Sequence, residues 1–319
     1  MAAGGGTKAI LAALGANLGI AIAKFIAAGV TGSASMLAEG IHSCADSGNQ
    51  ALLLLGGKRA KRDASEQHPF GYGRERYIYA FVVSIVLFSV GGLFALYEGY
   101  HKIHEALEHP EEGLSHWYWA VGVLVIGIVL EGFSFRTAIV EANKERGGAS
   151  WVEYIRRAKA PELPVVLLED LGALVGLVLA LLGVGLAVVT GNPIYDGIGT
   201  LCIGVLLVVI AVVLAIETKS LLLGESARSD QVRAIRQAVE AEEPVERVIH
   251  LRTLHLGPDE LLVAIKIAVS SRDTADDIAH AIDSAERRIR EVVPLHTIIY
   301  IEPDLYRESV AGSAGEGVR

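Results

Sequence analysis

The chain has 319 residues, of which 52% are hydrophobic and only 20% charged, with a formal net charge of -9 at neutral pH. Its apolar residues arrive in long runs and give a mean hydropathy of +0.43, the distribution of a membrane protein and not of a water-soluble one. The acidic balance, with no basic stripe, argues against a nucleic-acid partner, and two isolated cysteines, Cys44 and Cys202, argue against a disulfide framework or a thiolate metal site.

Crossing a bilayer core takes about 20 apolar residues. Six segments reach that length: Ile10 to Val30, Met36 to Leu55, Ile78 to Tyr97, Trp117 to Val140, Val165 to Val189 and Ile198 to Ile216. The first is too long for a signal-peptide core and lacks a cleavage site, so it reads as a retained helix. Lys and Arg gather in two of the connecting loops: Lys58, Arg59, Lys61, Arg62, Arg74 and Arg76 in one, and Lys144, Arg146, Arg156, Arg157 and Lys159 in the other. TGSAS and TGNPIYDG carry none. Positive charge marks the cytoplasmic side, so both termini are expected there, with the acidic loop HKIHEALEHPEEGLSH outside. The short N-terminus without a transit peptide leads us to expect a bacterial inner membrane.

The second segment, SMLAEGIHSCADSGNQALLLL, places Glu39, His42 and Asp46 at i, i+3 and i+7, along one stripe of a helix. Ionisable groups cost several kcal/mol in the bilayer and persist there facing a partner, water or an ion. An imidazole and a carboxylate one turn apart can both reach one divalent cation. The fifth segment offers further ligands in PVVLLEDLGALVG, where Glu169 and Asp170 interrupt an apolar run, so helices two and five are expected to be neighbours. The plainer alternatives are a hydrogen-bonded packing role for His42 and a headgroup-reaching Glu39. Glu131, in the fourth segment, is either a proton-relay or outer-shell acid or a structural hydrogen-bonding group. Glu39 and Asn49 are the other candidates for a proton path or outer shell. Asn17, Lys24, Asn49, Gln50 and Asp196 are expected to hydrogen-bond between helices. Both cysteines are expected to be small packing residues.

From about Gly224 the apolar runs shorten and charges return. Asp230 to Glu240 reads as a helix, VERVIHLRTLHL and ELLVAIKIAV as two strands joined at Gly257-Pro258-Asp259, Ile278 to Val292 as a second helix, and HTIIYIEP as a last strand. The expected architecture is therefore a six-helix transmembrane domain over residues 1–223. A small α+β cytoplasmic domain of order α-β-β-α-β, ferredoxin-like or metallochaperone-like, follows over 224–305, and a disordered tail over 306–319. The open face of its sheet suits pairing with a second copy.

From about Ala9 to Pro303 the sequence resembles the cation diffusion facilitator family of divalent-metal/proton antiporters. The resemblance rests on SASMLAEGIHSCADSGNQ, HPFGYGRERY, LLEDLGALVGLVLA, IYDGIG and LRTLHLGPDELLVAIKIAV, in that order. AEGIHSxxDxxNQ and LLED are most similar to the branch containing the mitochondrial zinc transporters. The resemblance implies a homodimer with a mid-membrane site between helices two and five, in which His42, Asp46 and Asp170 are metal ligands. The other family position on helix five, often His, is Val166 here, which leaves Glu169 or a water as the fourth ligand. It also implies that a loop site is absent, since His68 is kept but Ser65 and Tyr72 stand at ligand positions. A binuclear site in the terminal domain is not expected either, because its positions fall on Ile249, Ile265, Tyr300 and Glu302.

The implied activity is export of a divalent cation against protons by alternating access, with no organic cofactor and no enzymatic chemistry. Zn2+ comes first by resemblance; Mn2+, Fe2+ and Cd2+ are contenders because one imidazole with carboxylates suits them too. Two rivals come from other classes. An intramembrane metalloenzyme commonly uses HExxH, which the chain lacks. A non-transporting scaffold subunit is expected to have lost the ligands, which are retained.

Overall fold

In lipid every backbone polar group must be satisfied within the protein, and a run of about 20 apolar residues does so by itself as a helix, which is how the apolar runs of this chain fold. The computed structural model describes residues 3–31, 34–108, 117–243 and 245–306. The chain divides into two compact units, Met1–Asp63 with Glu75–Lys219, and Ala64–Arg74 with Ser220–Arg319.

The first unit begins with α1 (Ala3–Thr31) and α2 (Ala34–Arg59). The next long helix runs as α3 (Glu75–Val86), a π-helical stretch Leu87–Leu93, and α4 (Phe94–Glu108), followed by α5 (Trp117–Arg146), the short α6 (Trp151–Arg157), α7 (Glu162–Thr190) and α8 (Ile194–Leu223). Among the described residues five stretches are long and apolar enough to cross a membrane: Gly6–Val30, Glu75–Glu108, Trp117–Arg146, Glu162–Thr190 and Ile194–Leu223. The sixth long helix, α2, has 26 residues, a length of about 39 Å, and its polar residues, Glu39, His42, Asp46, Asn49, Gln50, Lys58 and Arg59 among them, lower its hydropathy. The protein is a multi-pass helical membrane protein.

Helix α1 packs against α2, α5 and α7, and α5 packs against α7. The core between them includes Ala9, Ala13, Leu53, Ala138, Val166 and Leu167. Large apolar side chains such as Leu11, Ile22, Val129, Phe133 and Val189 point outward, as a lipid-facing surface requires. Cys44 and Cys202 are also exposed. They belong to that outward face, so the expected packing role does not hold for them. The π-helical stretch and α6 leave no periodicity signal of their own in the sequence.

The second unit contains α9 (Ser229–Glu240), β1 (Arg247–Gly257), β2 (Glu260–Ala268), α10 (Ala275–Val292) and β3 (His296–Asp304), the expected α-β-β-α-β order. β1 and β2 pair antiparallel, while β2 and β3 are parallel and joined through α10. Burial alternates along β2, so Leu261, Val263, Ile265 and Ile267 face the helices and pack with Ile235, Val239, Ala281, Ala285 and Ile289. A reciprocal cap starts α10: Thr274 Oγ1 accepts from the Asp277 backbone N–H at 3.2 Å, and the Asp277 carboxylate accepts from the Thr274 N–H at 2.9 Å. Segment 64–74 belongs to this unit. There Ser65 and Tyr72 hydroxyls lie 3.2 Å apart and the His68 ring packs, tilted, 4.7 Å from that of Tyr72, so the three positions of the expected-absent loop site touch one another.

Candidate metal site

The first unit contains a cavity of about 300 Å³, lined from α1, α2, the third long helix, α5, α7 and α8. At one level it is bordered by Asp46 of α2, Glu131 of α5, and Glu169 and Asp170 of α7, with Lys24 of α1 beside them. Along α7 its lining runs from Glu169 to Val184, about 22 Å at the helical rise. At the far end stand Glu98, Lys102, Trp117 and Asp196, where Lys102 Nζ lies 3.1 Å from Asp196 Oδ2 and 3.4 Å from Thr200 Oγ1. The cavity is thus a corridor from a carboxylate-rich chamber to an ion pair between α4 and α8.

Each acid of the chamber is held differently. Asp170 is 1% exposed, and its Oδ2 accepts the Ser134 hydroxyl from α5 at 2.6 Å, a length typical of a charge-assisted bond. Its neighbour Glu169 points about 100° away around the helix. There Oε1 accepts from the Asn49 amide at 2.9 Å and Oε2 from the Gln50 amide at 3.0 Å. Gln50 in turn accepts from Asn17 at 3.2 Å. One polar chain therefore links α1, α2 and α7. Glu131 is 2% exposed, and its Oε2 has no hydrogen-bond partner among the described residues.

Of the sequence-read candidates, Asp46, Asp170, Glu169 and Glu131 therefore share one cavity, and Asn49 touches Glu169. The backbone at Glu39 and His42 is helical, but both side chains lie outside the described residues. Among the described residues no three His, Cys, Asp or Glu side chains converge closely enough to hold one ion. Val166 is fully buried in the helix core and offers no ligand. Ser134 went unnoticed in the sequence, although it lies three residues after Glu131 on one helical face, which is the signal that could have found it. Lys102 was missed because it reads as a loop-end cation.

The arrangement offers hard oxygen ligands in a buried chamber with a polar route out, which suits a divalent cation. A model of the cation efflux transmembrane domain matches residues 10–223, and one of the cation efflux protein cytoplasmic domain matches residues 227–304. The chain belongs to the cation diffusion facilitator family. Similar relatives include the proton-coupled zinc antiporter SLC30A9, mitochondrial, of Xenopus laevis, 36% identical over 71% of this chain and 40% of that protein. The Homo sapiens protein of the same name is 33% identical over 73% of this chain and 41% of its own length. The magnetosome protein MamB of Magnetospira sp. (strain QH-2) is 24% identical over 86% of this chain and 89% of that protein. This cation diffusion facilitator spans about two fifths of the length of the antiporters it matches.

Proposed function

We propose that the chain moves a divalent metal cation, Zn2+ in the first place, out of the cytoplasm in exchange for protons by alternating access. The observation that carries this reading is that Asp46 from α2 and Asp170 from α7 border one buried cavity, with Ser134 orienting the second carboxylate. His42, one turn before Asp46, completes a ligand set with both acids. The antiporter names of the relatives support zinc and protons as the exchanged pair.

Exchange follows from competition, because ligation requires a neutral imidazole and ionised carboxylates, so the metal binds as protons leave. An imidazole, with an ordinary pKa of about 6.5, suits that role near neutral pH. Rocking of helices around the chamber alternates its access. Glu169 is either the fourth ligand or the group that ties α2 to α7, and its two amide partners favour the tie. Residues 1–223 form the transport domain, and 224–305 form a cytoplasmic domain through which two copies pair, with both termini on that side.

The test is metal flux into liposomes holding the purified protein. A pH gradient is expected to drive zinc uptake, and Asp46→Asn or Asp170→Asn to abolish it. Flux like that of the wild type in either variant overturns the assignment. Calorimetry with Zn2+, Mn2+, Fe2+ and Cd2+ on wild type and His42→Ala settles the cargo. His42 is the one imidazole in the proposed ligand set, which keeps Mn2+ and Fe2+ in the comparison.

A further inference from the structure

Lys24 is the unexpected member of the chamber. It sits in the last third of α1, about two turns before the helix ends, only 8% exposed, in a helix long and apolar enough to span the bilayer. A lysine so placed is costly unless its ammonium faces opposite charge. It lines the same cavity as Asp46, Glu131, Glu169 and Asp170, which belong to three of the other helices that line it. Lys24 of α1 and Glu131 of α5 both border it. These helices approach closely one and a half turns earlier on α1, where a Cβ on Gly19 would lie 3.0 Å from Leu130. Side chains lean toward the N-terminus of their helix, so Lys24 reaches back toward the level of that contact. Glu131 supplies there a carboxylate oxygen that accepts no hydrogen bond among the described residues.

The carboxylates of the chamber repel one another when ionised, and a protein interior screens that repulsion less than bulk water does. A divalent cation relieves that repulsion when it is bound. When it has left, returning protons relieve part of it, and a resident positive charge can relieve more. A lysine suits the task, since its compact charge rides on a flexible stem and can shift without moving the backbone.

We propose that Lys24 is a tethered counter-cation of the metal chamber: its ammonium holds part of the cargo's place when the cargo is absent and withdraws to Glu131 when the cargo enters. The inference rests on the metal-carrier reading above. Lys24 thereby lowers metal affinity to a level from which the ion can leave again, acting through the chamber's charge and not as a ligand.

The test is calorimetric binding of Zn2+ and Cd2+ to the purified full chain at fixed pH. Lys24→Gln is expected to tighten binding of both ions about fivefold to tenfold, whereas Lys24→Arg, which keeps the charge, stays within about twofold of wild type. Glu131→Gln removes the place of withdrawal and is expected to weaken binding about fivefold, with a smaller effect in the Lys24→Gln background. A lysine with a merely structural role gives unchanged or weaker binding in Lys24→Gln, and that result overturns the proposal. If the Gln variant does not fold, Glu131→Gln decides alone, and unchanged affinity there overturns it. Asp170→Asn separates the two readings. If it binds as wild type does, the metal-carrier reading falls and takes this one with it. If it loses binding while Lys24→Gln shows no gain, only the counter-cation is overturned.

Discussion

Ser134 on α5 donates its hydroxyl proton to Asp170 on α7 across 2.6 Å, with both residues buried. The bond fixes which oxygen of Asp170 is turned toward α5 and which is left for the chamber. Hydrogen bonds to charged groups contribute about 1.5–3 kcal/mol. Ser134→Ala is therefore expected to weaken zinc affinity about tenfold, with the protein still folded, and Ser134→Thr to restore much of the loss. Calorimetry on the two variants, alongside their melting temperatures in detergent, checks this. Equal affinity in Ser134→Ala makes the bond incidental to the site.

Glu169 poses a question that one pair of variants answers. Both of its oxygens accept from amides, and Gln50 cannot turn over without losing the proton it accepts from Asn17. Asn49 can, because its own Oδ1 has no partner among the described residues. A glutamine at 169 fits once Asn49 reverses its amide, so Glu169→Gln is expected to keep the fold and metal binding. Glu169→Ala strands both amides in the interior and is expected to cost about 2–3 kcal/mol, seen as a lower melting temperature. If Glu169→Gln folds but loses zinc, the residue is a ligand and not a tie.

The reach of the sequence is visible in these same residues. The six long helices, the order of elements after Gly224 and the acids of α2, α5 and α7 were all legible, because polar groups in apolar runs stand out and hydrophobic period separates helix from strand. Which oxygen meets which donor was not. Glu169 and Asp170 are adjacent in sequence, yet they turn to different helices, and only the packing of α5 and α2 around α7 decides that Ser134 serves one and Asn49 with Gln50 the other. The π-helical stretch at Leu87–Leu93 was hidden for a similar reason. It leaves apolar composition unchanged, and a Cβ on Gly92 within it would lie 2.6 Å from Val208 of α8, a close fit that composition does not reveal.

That fit yields a third expectation. A Cβ on Gly204 would lie 2.7 Å from the backbone nitrogen of Leu96, and one on Gly99 equally 2.7 Å from the backbone nitrogen of Leu201. Backbone atoms cannot step aside as side chains do, so α4 and α8 touch through glycine because nothing larger fits. Gly99→Val and Gly204→Val are each expected to force the two helices apart, costing about 1–3 kcal/mol by overpacking. Thermal stability in detergent reads the effect. Because Lys102 of α4 pairs with Asp196 of α8, zinc flux in liposomes should fall as well. A fully stable Gly204→Val protein contradicts the close contact.

A last expectation concerns segment 64–74, which joins α2 to α3 and packs within the second unit. A Cβ on Gly73 would stand 2.9 Å from the carbonyl oxygen of Leu256, and one on Gly257 would stand 2.9 Å from the Cα of Gly73. The segment is thus held backbone to backbone against the turn between β1 and β2. Gly73→Val cannot be relieved by a rotamer change, since the obstacle is main chain. The variant is expected to release the segment while leaving the α9–β1–β2–α10–β3 core intact. Amide hydrogen exchange is then expected to rise across 64–74 and at Gly257, but not in β2, whose protection comes from its pairing with both neighbours. Exchange in 64–74 that matches the wild type shows that the glycine contact does not hold the segment in place.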